Sequence, residues 1–319
     1  MRKIVAALLM AMVCVVALGA QTARPSTYFN SQTLLDDLKT LSSDAMNGRS
    51  VGSEDGAHAR AFLIGRFTAV GIKPLGASFE VPFTFKAGGR GTTPAVERRG
   101  VNLVGVIDGS LTPKRYIVVT AHYDHLAPRA GVVMNGADDN ASGAAALAAL
   151  SEYFVKHRPK ASLIIVACDG EEAGLQGAKA FVAAPPVPRE SIVANLNLDM
   201  IGRDPDDKLF AVGSKLNPQL KPMIEAVAKT APVKLLIGHE DPADKVQDDW
   251  TRDSDHYAFW DAWKLPFIYL GVEDESQHHK PTDDFETISH DFYVRAVETS
   301  IQLLQYFDAH LDGLAGAKK

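Results

Sequence analysis

Cysteine is nearly absent from this chain: 319 residues carry two, Cys14 and Cys168. Cys14 lies in the apolar N-terminal segment. If that segment is removed, no intramolecular disulfide can form, and stability has to come from a packed core or from bound metal. Long apolar runs are equally scarce. The one present, Ile4 to Leu18 in "MRKIVAALLMAMVCVVALGA", follows Arg2 and Lys3 and precedes Gly19 and Ala20. It is shorter than the ~20 residues of a typical membrane span. It reads as a cleavable secretory signal over residues 1–20, which makes residues 21–319 a single exported domain, periplasmic or extracellular, with no stable membrane association. Basic stretches interleaved with aromatics are also missing. The net charge of −6 becomes −8 when the two cations Arg2 and Lys3 leave, which argues against a nucleic-acid partner. Internal repeats and low-complexity tracts are not apparent.

What is present is an ordinary globular mixture, 46% hydrophobic and 23% charged, long enough to bury a sizeable core. Residues 31–41 and 53–71 carry apolar side chains at helical spacing, the second with Ser53 as N-cap and Gly71 as stop. β-Branched or continuous apolar runs follow at 101–107, 116–122, 162–168, 192–200, 208–213, 233–238 and 266–271, with helical patterns at 141–157, 175–184, 217–231 and 289–311. Continuous apolar strands alternating with helices predict an α/β three-layer sandwich, its mixed, mostly parallel sheet flanked by helices on both faces. "KAGGRGTTPAVERRG", residues 86–100, reads as a flexible connection.

In such sheets ligands sit at the carboxyl ends of the strands, and those ends carry the chemistry here. "YIVVTAHYDH" supplies His122, Asp124 and His125; "SLIIVACDGEE" supplies Glu171 and Glu172; "IVANLNLDM" supplies Asp199; His278 and His279 follow "PFIYLG"; "NGADDNASG" adds Asp138 and Asp139 at a helix start. So many carboxylates and imidazoles on one sheet edge would repel and desolvate badly unless cations neutralised them. Imidazole and carboxylate donors without thiolate suit zinc, cobalt or manganese. A two-metal hydrolytic site is the economical reading.

The motifs "HYDH", "GADDNASG", "GEEAGLQGA", "NLDMIG" and "HKPTD", in this order between residues 47 and 288, resemble the co-catalytic zinc aminopeptidases, a family that includes secreted bacterial leucyl aminopeptidases and, more distantly, glutamate carboxypeptidase. Too little chain lies before residue 101 for the protease-associated insert of some relatives, so the resemblance is to single-domain members. The resemblance implies two Zn²⁺ per chain, one held by His122, Asp139 and Asp199 and the other by Asp139, Glu172 and His279. Asp139, two residues before "ASG", would bridge, and its bond to Asn140 would be cis. The implied reaction is removal of N-terminal residues from peptide substrates by a hydroxide bridging the zinc ions, with Glu171 as general base. Asp124 would orient the His122 ring. His278 stands where relatives often place an oxyanion-stabilising tyrosine; it either donates the same hydrogen bond or faces solvent. "SDHYAFW" matches a segment near the substrate in the family, so Asp255 and His256 are either contacts there or part of a helix cap.

Two rival readings stand beside this one. A glutaminyl cyclase-like enzyme would need one zinc, leaving His122 without purpose. A metal-free binding ectodomain of the same fold would have lost ligands that this chain retains. A carboxypeptidase would want arginine for the substrate carboxylate, and Arg129, Arg203 and Arg252 are the ones near the motifs.

Overall fold

The computed structural model describes residues 24–88, 95–274 and 276–314. The signal over residues 1–20 lies outside them.

Helices α1 (Ser31–Leu41) and α2 (Glu54–Val70) open the fold. The Asn30 side chain accepts the Thr33 N–H at the start of α1. Ser53 caps α2 through the Gly56 N–H, and Gly71, at φ 97°, closes it in the left-handed conformation. Strands β1 (Lys73–Pro74), β2 (Glu80–Gly88), β3 (Ala95–Ile107) and β4 (Tyr116–His122) follow. Next come α3 (Gly143–Lys156), β5 (Ser162–Cys168), α4 (Gln176–Ala183), β6 (Ile192–Leu198), β7 (Lys208–Val212) and α5 (Lys221–Ala228). The described chain ends with β8 (Lys234–Ile237), α6 (His256–Trp263), β9 (Phe267–Gly271), α7 (His290–Ala309) and α8 (Leu311–Leu314).

All strands join one mixed sheet in the order β1-β3-β5-β4-β6-β9-β7-β8, with β2 paired to β3. Parallel pairing holds its centre, β5-β4-β6-β9. Antiparallel pairs join β1, β2 and β5 to β3 on one side and β7 to β9 on the other. The central strands are mostly apolar because both faces are covered, with the buried Thr120 of β4 and Asn195 and Asn197 of β6 as polar exceptions. Ile117, Val119, Leu163 and Ile165 pack with Leu38, Leu63, Leu147 and Val297 beneath α1, α2, α3 and α7. The alternate residues Val118, Ile164 and Val166 pack with Phe181 and Phe259 of α4 and α6.

One stretch departs from its sequence reading. Residues 86–88 and 95–100 pair across β2 and β3, Lys86 with Glu97 and Gly88 with Ala95, instead of forming a loose connection. The ribbon is largely exposed on both faces there, so it shows no apolar alternation and rests on main-chain pairing.

Candidate metal centre

The parallel strands of the centre end at one edge, and the side chains follow within a few residues. His122 is the last residue of β4, Asp199 follows β6, and Glu171 and Glu172 leave the turn after β5. Asp138 and Asp139 lie in the irregular turn Ala137–Ser142 that leads into α3, where the Asp139–Asn140 peptide bond is cis. The Asn140 side chain ties this turn down, donating to Leu198 O at 2.9 Å and accepting the Gly143 N–H at 2.8 Å. Asp139 is thereby pinned between the end of β6 and the start of α3.

Asp139 occupies the middle of the cluster. Its Oδ1 lies 3.4 Å from His122 Nε2, which also stands 3.2 Å from Asp199 Oδ1. Its Oδ2 faces the other way, 3.1 Å from His279 Nε2, 3.5 Å from His125 Nδ1 and 3.6 Å from His278 Nε2. That oxygen accepts no hydrogen bond although three imidazoles converge on it. Glu172 closes the second side, 3.1 Å from His279 Nε2 and 2.9 Å from His125 Nδ1. Two of these pairs are hydrogen-bonded, His122 Nε2 with Asp199 Oδ1 and His279 Nε2 with Glu172 Oε1, and the convergence of so many oxygen and nitrogen donors at such spacing fits a cation of mixed N/O preference such as zinc. Among the described residues, three candidate triads are His122–Asp139–Asp199, His125–Asp139–Glu172 and Asp139–His278–His279.

The electrostatics agree. Burial works against ionisation of Asp139, yet the surrounding His125, His279, His122 and His278 hold its carboxyl well below the ordinary range. The adjacent carboxylates of Asp139 and Glu172 push His279 up to about 10. Burial, together with the charges of Asp199, Asp255 and Glu172, raises Glu171 well above the usual carboxylate range despite His122 nearby. Without metal, protons on His122 and His279, both raised by these carboxylates, supply positive charge beside them.

Glu171 and Glu172 diverge at the turn. Glu171 points to the His122 side, its Oε2 4.0 Å from His122 Nε2, and Glu172 points to His125 and His279. Asp124 lies behind His122. Its main-chain carbonyl lies 3.0 Å from His122 Nδ1, and its carboxylate, 3.8 Å from that nitrogen, accepts the Glu171 N–H at 3.1 Å. The carboxylate thus braces the turn carrying both glutamates. His278 is half-exposed, against His279 and Asp139. His256 belongs to the core: its ring stacks on Tyr269 and its Nε2 lies 3.0 Å from Thr251 O. Asp255, fully buried, has no hydrogen-bond partner on either oxygen.

Several supporting residues escape sequence reasoning. Ser254 donates to Asp199 Oδ2 at 2.6 Å and is itself held by Asn197 at 2.8 Å. Asp283 accepts the N–H groups of Asp138 and Asp139 and pairs with Arg203. Arg49, fully buried, donates to the carbonyls of Tyr123, Leu41, Asn135 and Gly136 under the site. "HKPTD" holds Asp283 and "SDH" holds Ser254, but neither motif shows which distant residue its member grips. Above the centre opens a cavity of about 1230 Å³, lined among others by Asp139, Glu171, Tyr269, Trp250 and His278.

A helix-covered mixed sheet with this donor set at its strand ends is an arrangement suited to metal-assisted hydrolysis. The model of peptidase family M28 matches residues 102–304, more than half of the chain, and the chain belongs to that family of co-catalytic zinc aminopeptidase type. A probable zinc metalloprotease of Leptosphaeria maculans is 34% identical over 113 residues, 34% of this chain and 26% of its own length. The match therefore spans about a quarter of that curated relative. Among solved structures, the zinc aminopeptidase BSAP of Bacillus subtilis superposes with a TM-score of 0.70 at 14% identity, covering 89% of this chain and 96% of its own. The glutaminyl cyclase of Porphyromonas gingivalis also gives 0.70, at 17% identity, over 88% of this chain and 99% of its own. At such identities both share the fold.

Proposed function

We propose that this chain is an exported aminopeptidase that removes N-terminal residues from peptides with two zinc ions. One ion would be held by His122, Asp139 and Asp199, the other by Asp139, Glu172 and His279. The carrying observation is Asp139, which presents one oxygen to His122 and the other to His279. A carboxylate turned to both sides is the natural bridge between two cations. When bound, the ions supply Lewis acidity toward the scissile carbonyl and lower the pKa of water.

The chain's own residues do the rest. Glu171, on the His122 side, takes the proton of the attacking water and returns it to the leaving amine. Ser254 fixes Asp199, Asp283 fixes the backbone of Asp139, and Asp124 fixes the turn bearing the two glutamates. His278, which lines the cavity beside Asp139, would donate a hydrogen bond to the developing oxyanion. Arg203 is already engaged by Asp274 and Asp283, which speaks against its capturing a substrate carboxylate as a carboxypeptidase would require.

The glutaminyl cyclase reading finds less support, because it leaves the buried His122, within reach of both Asp139 and Asp199, without a task. Export rests on the N-terminal pattern. Among the described residues, no helix is long and apolar enough to cross a membrane.

A panel of aminoacyl chromogenic substrates, the same compounds with blocked amines, and N-terminal glutaminyl peptides tests the reading. Zinc-dependent hydrolysis confined to free amines is expected. Cyclisation without hydrolysis supports the cyclase instead, and equal cleavage of blocked compounds defeats the exopeptidase assignment.

A further inference from the structure

His125 is fully buried at the end of "HYDH", and neither of its ring nitrogens makes a hydrogen bond. A buried imidazole with two unpaired nitrogens is costly unless something occupies one of them. Nδ1 points at the second side of the cluster, 2.9 Å from Glu172 Oε1 and 3.5 Å from Asp139 Oδ2. The short approach to Glu172 is misaligned for an N–H donor. His279 Nε2 completes the group, 3.1 Å from each of the same two carboxylates.

These spacings have a simple meaning. Zinc–nitrogen and zinc–oxygen bonds of about 2.0–2.1 Å in a tetrahedron place neighbouring donors about 3.3 Å apart. Four of the six donor–donor edges of such a tetrahedron, 2.9, 3.5, 3.1 and 3.1 Å, bracket that value. His278 is the competitor, but it is half-exposed and comes into range of Asp139 without a matching approach to Glu172. The His125 ring is also held from behind. A Cβ at Gly136 would lie 2.5 Å from its Cγ, and Gly136 sits at φ 53°. Only glycine leaves that space, and the His125 N–H is anchored to Gly48 O at 3.1 Å.

We propose that His125 is a fourth protein ligand of the second zinc, binding through Nδ1 beside Asp139, Glu172 and His279. The inference rests on the two-zinc reading above. It divides the labour between the two ions. A site with four protein donors is closed, whereas one with three keeps a position open. The second ion then anchors Asp139 and contributes charge.

Cadmium-113 in place of zinc, in full-length protein labelled with ¹⁵N-histidine, reads ligation directly through metal–nitrogen coupling. Couplings to His122, His279 and the Nδ1 of His125 are expected. In His125→Gln one metal should bind more than about 100-fold more weakly, beyond the roughly 10–100-fold that loss of a supporting hydrogen-bond partner costs. The other site should be unaffected. Wild-type protein that binds two ions with no coupling at His125 overturns this proposal alone. Wild-type protein that takes up no metal overturns the two-zinc reading with it. The wild-type measurement decides even if the variant fails to fold.

Discussion

Asp283 accepts the backbone N–H of Asp139 at 3.1 Å across 144 residues of chain. The same carboxylate takes the N–H of Asp138 at 2.9 Å and the guanidinium of Arg203. It fixes the turn that aims Asp139 into the cluster. Asp283→Ala strands two buried N–H groups and removes one partner of a mostly buried arginine, so a loss of about 3 kcal/mol or more is expected. Urea unfolding at constant m measures it. A loss under about 1 kcal/mol would make these bonds incidental.

The adjacent glutamates should separate cleanly by mutation. Glu171→Gln keeps size and metal content but removes proton transfer, and kcat should fall by roughly 10²-fold to 10⁴-fold. Glu172→Gln replaces an anionic donor with an amide and should lower occupancy of one site, with partial rescue at high zinc. Metal analysis and kinetics on both variants check this. Metal loss in Glu171→Gln with retention in Glu172→Gln would reverse the roles.

Zinc uptake should release protons and strengthen with pH. His279 is pushed up to about 10 by Asp139 and Glu172 in the metal-free protein, so it carries a proton at neutrality that must leave before its nitrogen can bind. Apparent affinity should therefore rise as pH approaches that value, by up to about tenfold per unit for each proton released. Calorimetry of metal-free protein in two buffers of different ionisation enthalpy counts the protons. A count of zero contradicts the assignment.

His256 should contribute to acid sensitivity. Burial, only partly offset by hydrogen bonds to the carbonyls of Thr251 and Trp250, lowers it from 6.5 to about 3. The folded ring stays neutral where the unfolded ring charges. Its stabilising share is therefore complete above pH 6.5 and drains away as pH falls toward about 3. His256→Gln, less stable at neutrality through lost stacking on Tyr269, should lose less Tm than wild type between about pH 7 and about pH 4.5. Acid acts on the metal centre in both proteins, so the difference isolates His256. Parallel Tm curves would refute it.

Much of this architecture was legible because it is local. Val118 and Ile165 belong to runs whose β-branched residues suit a strand buried on both faces, and Ser53 and Gly71 mark the ends of α2 through their own backbone and side-chain chemistry. The ribbon at 86–88 and 95–100 was illegible because its pairing is main-chain and its faces are wet, leaving no apolar period to read.

The sequence alone therefore determined the helices and the central strands, and which residue types gather at strand ends, since parallel strands joined by crossover helices deliver their carboxyl ends to one edge. Tertiary structure decided the rest. That Asp139 turns one oxygen to His122 and the other to His279, that Asp124 holds the Glu171 N–H with its carboxylate, and that His125 and not His278 reaches both Asp139 and Glu172 depend on side-chain directions. Those directions follow from hydrogen bonds between distant segments, from Asn140 to Leu198 and from Asp283 to Asp139. Spacing along the chain carries no information about such partners, because they become neighbours only when the sheet has formed.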